Sequence, residues 1–299
     1  MANAEKMLGS TPFRGMIVGF PGAGKTGALV PLITAGFKIR MLNYDGNEQP
    51  LFAYADPTML KNVDIVRLED KMKVTPQYVG PDGIPTAFLD GLKLMNHWTY
   101  KEDDGTVVDL GHSADWGLDT VVVLDSMQSM GDSAKNRAMV IRNKTPLNTT
   151  DGVWGLGMNE QDEFIKVLAK NKARHHTIIL SHLKIIQPRD KRQGDSQMTE
   201  DIKEQLAELI KARYYPAALG WALPQQIARH VPIVLEAKKK FVGRAVHRIL
   251  SPVPREELDL KLPIKDLQPE YPLETGLLDI FRKVSPEAVA LVESQRGGR

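Results

Sequence analysis

Hydrophobic and polar residues follow one another along the chain in a pattern typical of strands separated by helices. Short apolar or β-branched runs predict strands, and longer amphipathic stretches predict helices. The predicted strands are Gly15–Gly19, Ile39–Tyr44, Val63–Leu68, Thr120–Asp125, Thr177–Ser181, Pro232–Glu236 and Ala245–Leu250. The run VVVL within Thr120–Asp125 lacks polar positions, as is typical of a strand buried on both faces of a parallel sheet. The pattern therefore predicts an α/β fold with a mostly parallel, doubly wound sheet.

Helices are predicted between these strands, and three segments interrupt the alternation. The predicted helices are Gly24–Ala35, Ala87–Trp98, Ser133–Asn143, Asn159–Lys172, Thr199–Ala212 and Leu223–His230. A charged turn predicts a hairpin-like insertion at about 99–118, the glycine- and threonine-rich residues 145–157 predict a loop, and a polar run lies within 184–220. Prolines are frequent after Ser251. We therefore expect a core over residues 1–250 and a proline-rich C-terminal extension with short helices over 251–299.

The composition of the 299-residue chain narrows the class of protein. Its 42% hydrophobic and 25% charged residues exclude wholesale disorder. It contains no cysteine, which excludes disulfides, thiolate metal sites and a cysteine nucleophile. No apolar run reaches the roughly 18 residues of a membrane span, so we expect a cytoplasmic protein. Because the net charge is only +2, a nucleic-acid surface would have to be a local patch.

The strongest motif is GFPGAGKT at residues 19–26, a complete match to the phosphate-binding pattern G-x-x-x-x-G-K-[ST] between a predicted strand and a predicted helix. Its glycines let backbone N–H groups converge on phosphate oxygens at a helix N-terminus. Lys25 is expected to neutralise phosphate oxygens, and the Thr26 hydroxyl to ligate Mg²⁺. ATP and Mg²⁺ are therefore the predicted cofactors. The predicted nucleotide-binding residues are Gly19, Phe20, Pro21, Gly22, Ala23, Gly24, Lys25, Thr26 and Gly27.

A second motif, TVVVLDS, places an aspartate at the end of an apolar strand. The carboxyl ends of parallel strands face the crevice into which the phosphate loop opens, so Asp125 is expected to hold Mg²⁺ opposite Thr26. Together the two motifs predict a P-loop NTPase. No NKxD-type guanine-binding motif follows the loop, so nothing favours GTP. His175 and His176 lack a third ligand at metal spacing and are expected at the surface.

The stretch GFPGAGKTGALVPLITAGFKIRMLNYDGNEQPL is followed by VVVLDS, TIILSHLK and ALGWALPQQIARHVPIVLEAKKKFVG. This order resembles phage and prophage ATPases of the RecA/RadA-like class, the single-strand-annealing recombinase-like AAA ATPases. The resemblance covers approximately residues 14–250, and its specific motifs are the P-loop and the DS strand. It implies a RecA-like P-loop core, ATP hydrolysis, and a homo-oligomer with ATP at subunit interfaces.

The resemblance also implies a carboxylate beside the γ-phosphate. Asp45 matches the acid that polarises the attacking water, and Glu48 is the alternative, since both follow a strand that leads toward the phosphate. The sequence DGN at residues 45–47 is also strong turn chemistry without any catalytic role.

Two further pairs of residues match family positions. Ser181 and His182 end a strand where the family places its γ-phosphate sensor. Lys239 and Lys240 match basic residues that reach the ATP of the neighbouring subunit, a contribution that can raise the hydrolysis rate by about 10³ or more. A solvated basic strand edge would account for the lysines equally well.

The segments that match the family's DNA-contacting loops are rich in cations. The candidate DNA-binding residues are Arg142, Lys144, Trp154, Lys184, Arg189, Lys191, Arg192 and Arg213. Basic side chains neutralise phosphates, and aromatic rings stack on single-stranded bases. The preferred interpretation is an ATPase that acts on single-stranded DNA in recombination, annealing or replication. An ATPase acting on phage replication or recombination proteins, as a loader or packaging accessory, and a small-molecule kinase stay open, as does the choice of ring, filament or monomer.

Overall fold

A central sheet organises the molecule. The computed structural model describes residues 11–76, 78–170, 173–186, 213–264, 266 and 268–297. The strands are β1 (Arg14–Gly19), β2 (Lys38–Asn43), β3 (Val63–Arg67), β4 (Met72–Thr75), β5 (Tyr78–Pro81), β6 (His97–Lys101), β7 (Val107–His112), β8 (Thr120–Asp125), β9 (His176–Ile186), β10 (Arg213–Pro216), β11 (Ile233–Val242), β12 (Ala245–Ser251) and β13 (Tyr271–Pro272). The α-helices are α1 (Val30–Ala35), α2 (Gln49–Tyr54), α3 (Ala87–Asn96), α4 (Met127–Ile141), α5 (Asp151–Lys170), α6 (Pro224–Ile227), α7 (Gly276–Val284) and α8 (Pro286–Gly297).

The order of strands in the main sheet is β13–β12–β11–β1–β9–β8–β2–β3, and β10 pairs with the far end of β9. All pairs from β11 to β3 are parallel, whereas β10, β12 and β13 pair antiparallel. The predicted fold class, an α/β fold with a mostly parallel sheet, is confirmed. Because β9 lies between β1 and β8, the carboxyl ends of β1, β9, β8 and β2 are neighbours at one edge of the sheet.

Helices cover both faces of this sheet, as a doubly wound fold requires. Successive strand side chains point to opposite faces. In β8, Val121 and Val123 pack with α1, α7 and α8, whereas Val122 and Leu124 pack with α3, α4 and α5. Every residue of β8 is buried, which explains why its sequence has no polar alternation. Helix α1 is capped by Gly36, whose φ of 106° lies in the left-handed region that favours glycine.

The C-terminal segment packs against the strands of the core. β12 pairs with β11, and β13 extends the sheet by a further strand. Leu277 and Phe281 of α7 lie in the same hydrophobic cluster as Ile17 of β1. The ring of Phe281 stacks on Phe13 with centroids 4.5 Å apart. One face of the sheet is therefore covered by the chain's own C-terminal helices.

The interpretation of residues 145–157 as a loop is wrong from Asp151 onward, where α5 begins. Glycine lowers intrinsic helix propensity, but here glycines allow α4 and α5 to approach closely. A Cβ at Gly157 would lie 3.2 Å from the Cα of Lys135, and one at Gly131 would lie 2.5 Å from Nε2 of Gln161. Tertiary packing therefore outweighs the local propensity.

Two antiparallel pairs stand outside the main sheet. β4 pairs with β5, and β6 pairs with β7 around a charged turn at 102–106. Across the described parts of the chain, none of the helices has the length and apolar character needed to cross a membrane.

Candidate nucleotide-binding site

A cavity of about 680 Å³ opens at the carboxyl edge of the sheet. The loop after β1, the ends of β2, β8 and β9, and the C-terminal segment all contribute to its lining. The residues that line it are Pro21, Gly22, Gly24, Lys25, Thr26, Gly27, Val30, Asp45, Asn47, Gln49, Pro50, Ala53, Tyr54, Asp125, His182, Arg248, Leu273 and Glu274. This position is where ligands bind in open parallel sheets.

The loop after β1 has the backbone geometry of a phosphate cradle. Gly22 and Gly24 have φ angles of 71° and 99°, which strongly favour glycine. Gly19 lies beneath the loop, where a Cβ would come within 2.5 Å of the carbonyl oxygen of Ala237. Of the nine predicted nucleotide-binding residues, Pro21, Gly22, Gly24, Lys25, Thr26 and Gly27 line the cavity. Gly19, Phe20 and Ala23 do not line it.

Lys25 is held at the centre of the site. Its Nζ donates to the carbonyl oxygen of Gly19 at 3.0 Å and to Nδ1 of His182 at 3.1 Å. An ammonium group can only donate, so Nδ1 of His182 is the acceptor. Burial lowers the pKa of Lys25, although the charges of Asp125 and Asp45 oppose that shift.

Thr26 and Asp125 form the predicted pair of oxygen ligands. The Thr26 hydroxyl donates to Oδ2 of Asp125 at 3.0 Å. Burial, reinforced by the charge of Asp45, raises the pKa of Asp125 to about 6. A hydroxyl and a carboxylate are hard ligands that suit Mg²⁺, which takes its remaining ligands from phosphates and water. When bound, Mg²⁺ would neutralise charge on the phosphate oxygens.

Asp45 is oriented by two serines at the start of α4. Its Oδ1 accepts hydrogen bonds from the hydroxyls of Ser126, at 2.8 Å, and Ser129, and its Oδ2 lies 3.8 Å from Nε2 of His182. Burial alone would raise the pKa of Asp45, but the interactions with His182, Ser129 and Ser126 outweigh it and lower the pKa to about 2. Asp45 is therefore an ionised carboxylate facing the cavity.

Glu48 points away from the cavity, although it is only a few residues from Asp45. Its side chain is buried and accepts hydrogen bonds from Nδ2 of Asn43, at 2.8 Å, and from Arg67. Burial opposes ionisation, yet Arg67 and Asn43 hold the pKa of Glu48 below its usual range. The structure thus separates the two candidate carboxylates and brings only Asp45 to the site.

Of the two predicted sensor residues, His182 and Ser181, only His182 lines the cavity. His182 lines the cavity between Lys25 and Asp45. Ser181 is fully buried on the opposite side of β9, where its hydroxyl donates to the carbonyl oxygen of His182 at 3.0 Å. Strand alternation accounts for the difference, since neighbouring side chains point to opposite faces.

The two predicted finger lysines lie on opposite faces of β11. Lys240 donates to Glu270 at 2.7 Å. The Nζ of Lys239 instead approaches the phosphate loop of its own chain, 3.1 Å from where a Cβ at Gly22 would lie.

The candidate DNA-binding residues occupy two regions. Arg142 and Lys144 follow α4, and Trp154 lies on α5 with Nζ of Lys135 5.3 Å from its ring centroid. On the other side, Lys184 of β9 donates to the carbonyl oxygen of Gly220 at 3.0 Å, and Arg213 of β10 lies 3.8 Å from Asp259. The other candidates lie outside the described residues: Arg189, Lys191 and Arg192.

Sequence reasoning missed several residues of the site. The hydroxyls of Ser126 and Ser129 lie one helical turn apart, a spacing that could have indicated a shared partner. Gly243 indicates a turn between β11 and β12. Pairing the residues of the two strands outward from this turn places Arg248 opposite Lys239, so the sequence could have indicated this arrangement. No local signal points to Leu273 and Glu274, which reach the cavity only through the pairing of β13 with β12.

Comparisons with known proteins find similar solved structures, among them RadB, FlaH and a KaiC-like protein. No protein-family model matches the chain, and no curated protein matches it. A crystal structure of the RadB recombinase is 12% identical, with 89% of this chain and 90% of that chain covered and a TM-score of 0.40. The flagellar accessory protein FlaH from Methanocaldococcus jannaschii is 8% identical, with 92% and 95% covered and a TM-score of 0.35. The KaiC-like protein PH0186 from Pyrococcus horikoshii is 10% identical, with 88% and 84% covered and a TM-score of 0.38.

Proposed function

We propose that the chain binds ATP with Mg²⁺ in the cavity at the carboxyl edge and hydrolyses it. The observation that carries this proposal is the convergence of Lys25, the Thr26–Asp125 pair and the ionised Asp45 on one cavity. A phosphate cradle, a metal-ligand pair and a water-positioning carboxylate are the parts that phosphoryl transfer to water requires.

The apolar part of the cavity lining fits a nucleoside. Val30, Pro50, Ala53 and Tyr54 line it together with Leu273, and these side chains offer mainly apolar surface. Base-binding sites are typically apolar with a few polar groups, here Gln49 and Glu274. A nucleoside triphosphate therefore fits the cavity better than an inorganic polyphosphate would.

The roles of the protein groups follow from their positions. Lys25 leaves its contacts with Gly19 and His182 to neutralise phosphate oxygens. Asp45, ionised and fixed by the serines, orients a water molecule for attack and accepts its proton. His182 bridges Lys25 and Asp45, so a change at the phosphate alters its contacts on both sides.

Two variants test this proposal. Lys25→Ala is expected to weaken ATP binding by about 100-fold or more because a charged, buried phosphate contact is lost. Asp45→Asn is expected to retain ATP binding and to slow hydrolysis by about 10² to 10⁴. Calorimetric titration and phosphate release measure the two effects. Unchanged ATP affinity in Lys25→Ala would contradict the proposal.

For the target of the ATPase we propose single-stranded DNA, in an annealing, recombination or replication role of phage type, with ATP at the interfaces of a homo-oligomer. The supporting observation is the continuity of β9, which carries His182 at the cavity and the exposed Lys184 two residues later. β10 returns beside it with the exposed Arg213. Two cations thus lie on the strand pair that leaves the site.

Hydrolysis with and without single-stranded DNA tests the target. We expect stimulation at about 50 mM salt that weakens at about 200 mM, because phosphate contacts release counterions. Lys184→Ala should reduce the stimulation, whereas Lys166→Ala, on a lysine already paired with Asp162 and Glu163, should not. Stimulation by a protein partner without DNA would favour a loader, and phosphate transfer to a metabolite would favour a kinase.

A further inference from the structure

The hairpin of β11 and β12 carries two cations on one face. Its turn at Gly243, with φ of 61°, sets a register in which Lys239 lies directly opposite Arg248. Residues directly opposite one another in an antiparallel pair project to the same side. This side faces the phosphate loop. Nε of Arg248 donates to the carbonyl oxygen of Gly22 at 3.3 Å, and Lys239 approaches the same glycine.

The charges on the two faces of β11 differ. Lys238 and Lys240 both contact Glu270, at 3.7 and 2.7 Å, so the two lysines on the face away from the loop share one carboxylate partner. Within the described part of the chain, neither Lys239 nor Arg248 has a carboxylate oxygen within 4.0 Å, although Glu274 lines the same cavity. Lys239 and Arg248 therefore add two positive charges beside the phosphate loop, where a polyanion would bind.

The C-terminal segment fixes the position of Arg248. The backbone N–H of Leu273 donates to the carbonyl oxygen of Arg248 at 3.0 Å. A Cβ at Gly24 would lie 2.7 Å from Cδ2 of Leu273 and 2.9 Å from Cδ of Arg248. Both side chains are therefore packed against the phosphate loop, and donors held in place by packing lose little energy on binding.

We propose that Lys239 and Arg248 form a cationic clamp that binds the polyphosphate of the nucleotide held by their own chain. This inference rests on the proposed ATP site and deepens it. It also reverses the expectation that Lys239 reaches a neighbouring subunit. The clamp selects nucleotides by phosphate charge, because its two cations add to the interactions that Lys25 makes with the phosphates.

Binding measurements on single variants test the clamp. Arg248→Ala is expected to weaken ATP binding about tenfold or more and AMP binding much less, and Arg248→Lys should recover part of the loss. Lys239→Ala should act in the same direction. Arg244→Ala, which removes an exposed arginine at the turn of the same hairpin, is the matched control and should bind ATP as the wild type does.

A mixing experiment separates action within the chain from action between chains. In a mixture of Lys25→Ala and Arg248→Ala proteins, a clamp that serves its own chain gives hydrolysis equal to the mean of the separate variants. Activity above that mean would overturn the clamp, since one interface would then combine an intact Lys25 with an intact Arg248 from the neighbour.

The outcomes also separate the clamp from the proposed function. Wild-type ATP binding combined with unchanged ATP affinity in the folded Lys239→Ala/Arg248→Ala double variant overturns the clamp alone. Failure of the wild type to bind ATP overturns the proposed function together with the clamp. Circular dichroism of each variant establishes that it is folded.

Discussion

The two edges of the parallel sheet use similar ionisable side chains in different ways. At the amino edge, Arg14, His175 and His176 are buried, and their polar atoms bond mainly to the main chain. Arg14 donates to the carbonyl oxygen of Ala173 at 2.6 Å, and Nδ1 of His176 accepts the N–H of Phe13 at 2.8 Å. At the carboxyl edge, the ionisable groups contact one another and line a cavity.

The two edges differ in exposure to a cavity and not in the presence of histidines or charges, since both edges contain them. His175 and His176 were expected at the surface, and that expectation is wrong, since both are fully buried. Aromatic rings pack around them, including Trp116 against His175 and Phe281 against His176. Burial lowers the pKa of each histidine to about 4. These residues stabilise the fold and leave no surface for a ligand.

The largest expected effect is a difference between substitutions of two carboxylates near the carboxyl edge, Asp45 and Glu48. Asp45→Asn should lower kcat by about 10² to 10⁴ with little change in the unfolding temperature, since Asp45 contacts the cavity. Glu48→Gln should leave kcat within about threefold and lower the unfolding temperature, because it removes the partner of Arg67. Phosphate release and thermal unfolding measure both. A large loss of kcat in Glu48→Gln, with kcat unchanged in Asp45→Asn, would contradict the comparison.

A substitution at the amino edge should lower stability and leave ATP binding unchanged. His176→Ala leaves the Phe13 N–H and the Leu118 carbonyl oxygen without their partner and opens a cavity, so we expect the free energy of unfolding to fall by about 2–4 kcal/mol. ATP affinity at a temperature where the variant is folded should not change. His247→Ala, on an exposed histidine of β12, should alter stability by about 0.5 kcal/mol or less.

The two buried histidines at the amino edge should make the folded chain less stable in acid. The pKa of His175 and of His176 is about 4 in the folded chain and about 6.5 in the unfolded chain. Between these values the unfolded chain binds more protons, so the folded chain loses stability as pH falls. The free energy of unfolding should drop by up to about 3 kcal/mol per histidine from pH 6.5 to 4. Urea titrations of wild type and of the double variant His175→Asn/His176→Gln should show a steeper pH slope for the wild type.

The smallest expected effect concerns the two serines that contact Asp45, the proposed catalytic carboxylate. Ser129→Ala removes one of the two hydroxyl donors to Asp45 and should lower kcat by less than about tenfold, because Ser126 remains. In an Asp45→Asn background the same substitution should have almost no further effect. Equal effects of Ser129→Ala in both backgrounds would show that Ser129 acts independently of Asp45.

Local patterns were sufficient for part of the fold and part of the site. The phosphate loop and the strand ending at Asp125 combine residue types and spacing within a few positions, and the parallel sheet followed from apolar runs. The choice between Asp45 and Glu48 could not be made locally, because it depends on Arg67, 19 residues from Glu48. The face of β11 that meets the phosphate loop likewise depends on the pairing of distant strands.

The helical start of α5 illustrates the same limit. The local sequence, with Gly152, Gly155 and Gly157, predicts a loop. The close approach of Gly157 to α4 explains why a helix forms there instead. Helix propensity is a weak predictor where two backbones pack closely.

The contact of Leu273 with the phosphate loop links the C-terminal segment to the proposed nucleotide site. Anything that binds only the docked form of β13 stabilises that form by mass action. ATP should therefore slow proteolysis of the segment after Ser251. A chain ended at residue 250 would lose the edge strand β13 and, with it, the part of the cavity wall that Leu273 and Glu274 form. The smallest fragment that hydrolyses ATP should therefore extend past Leu273. It should also include α7, which covers one face of the sheet.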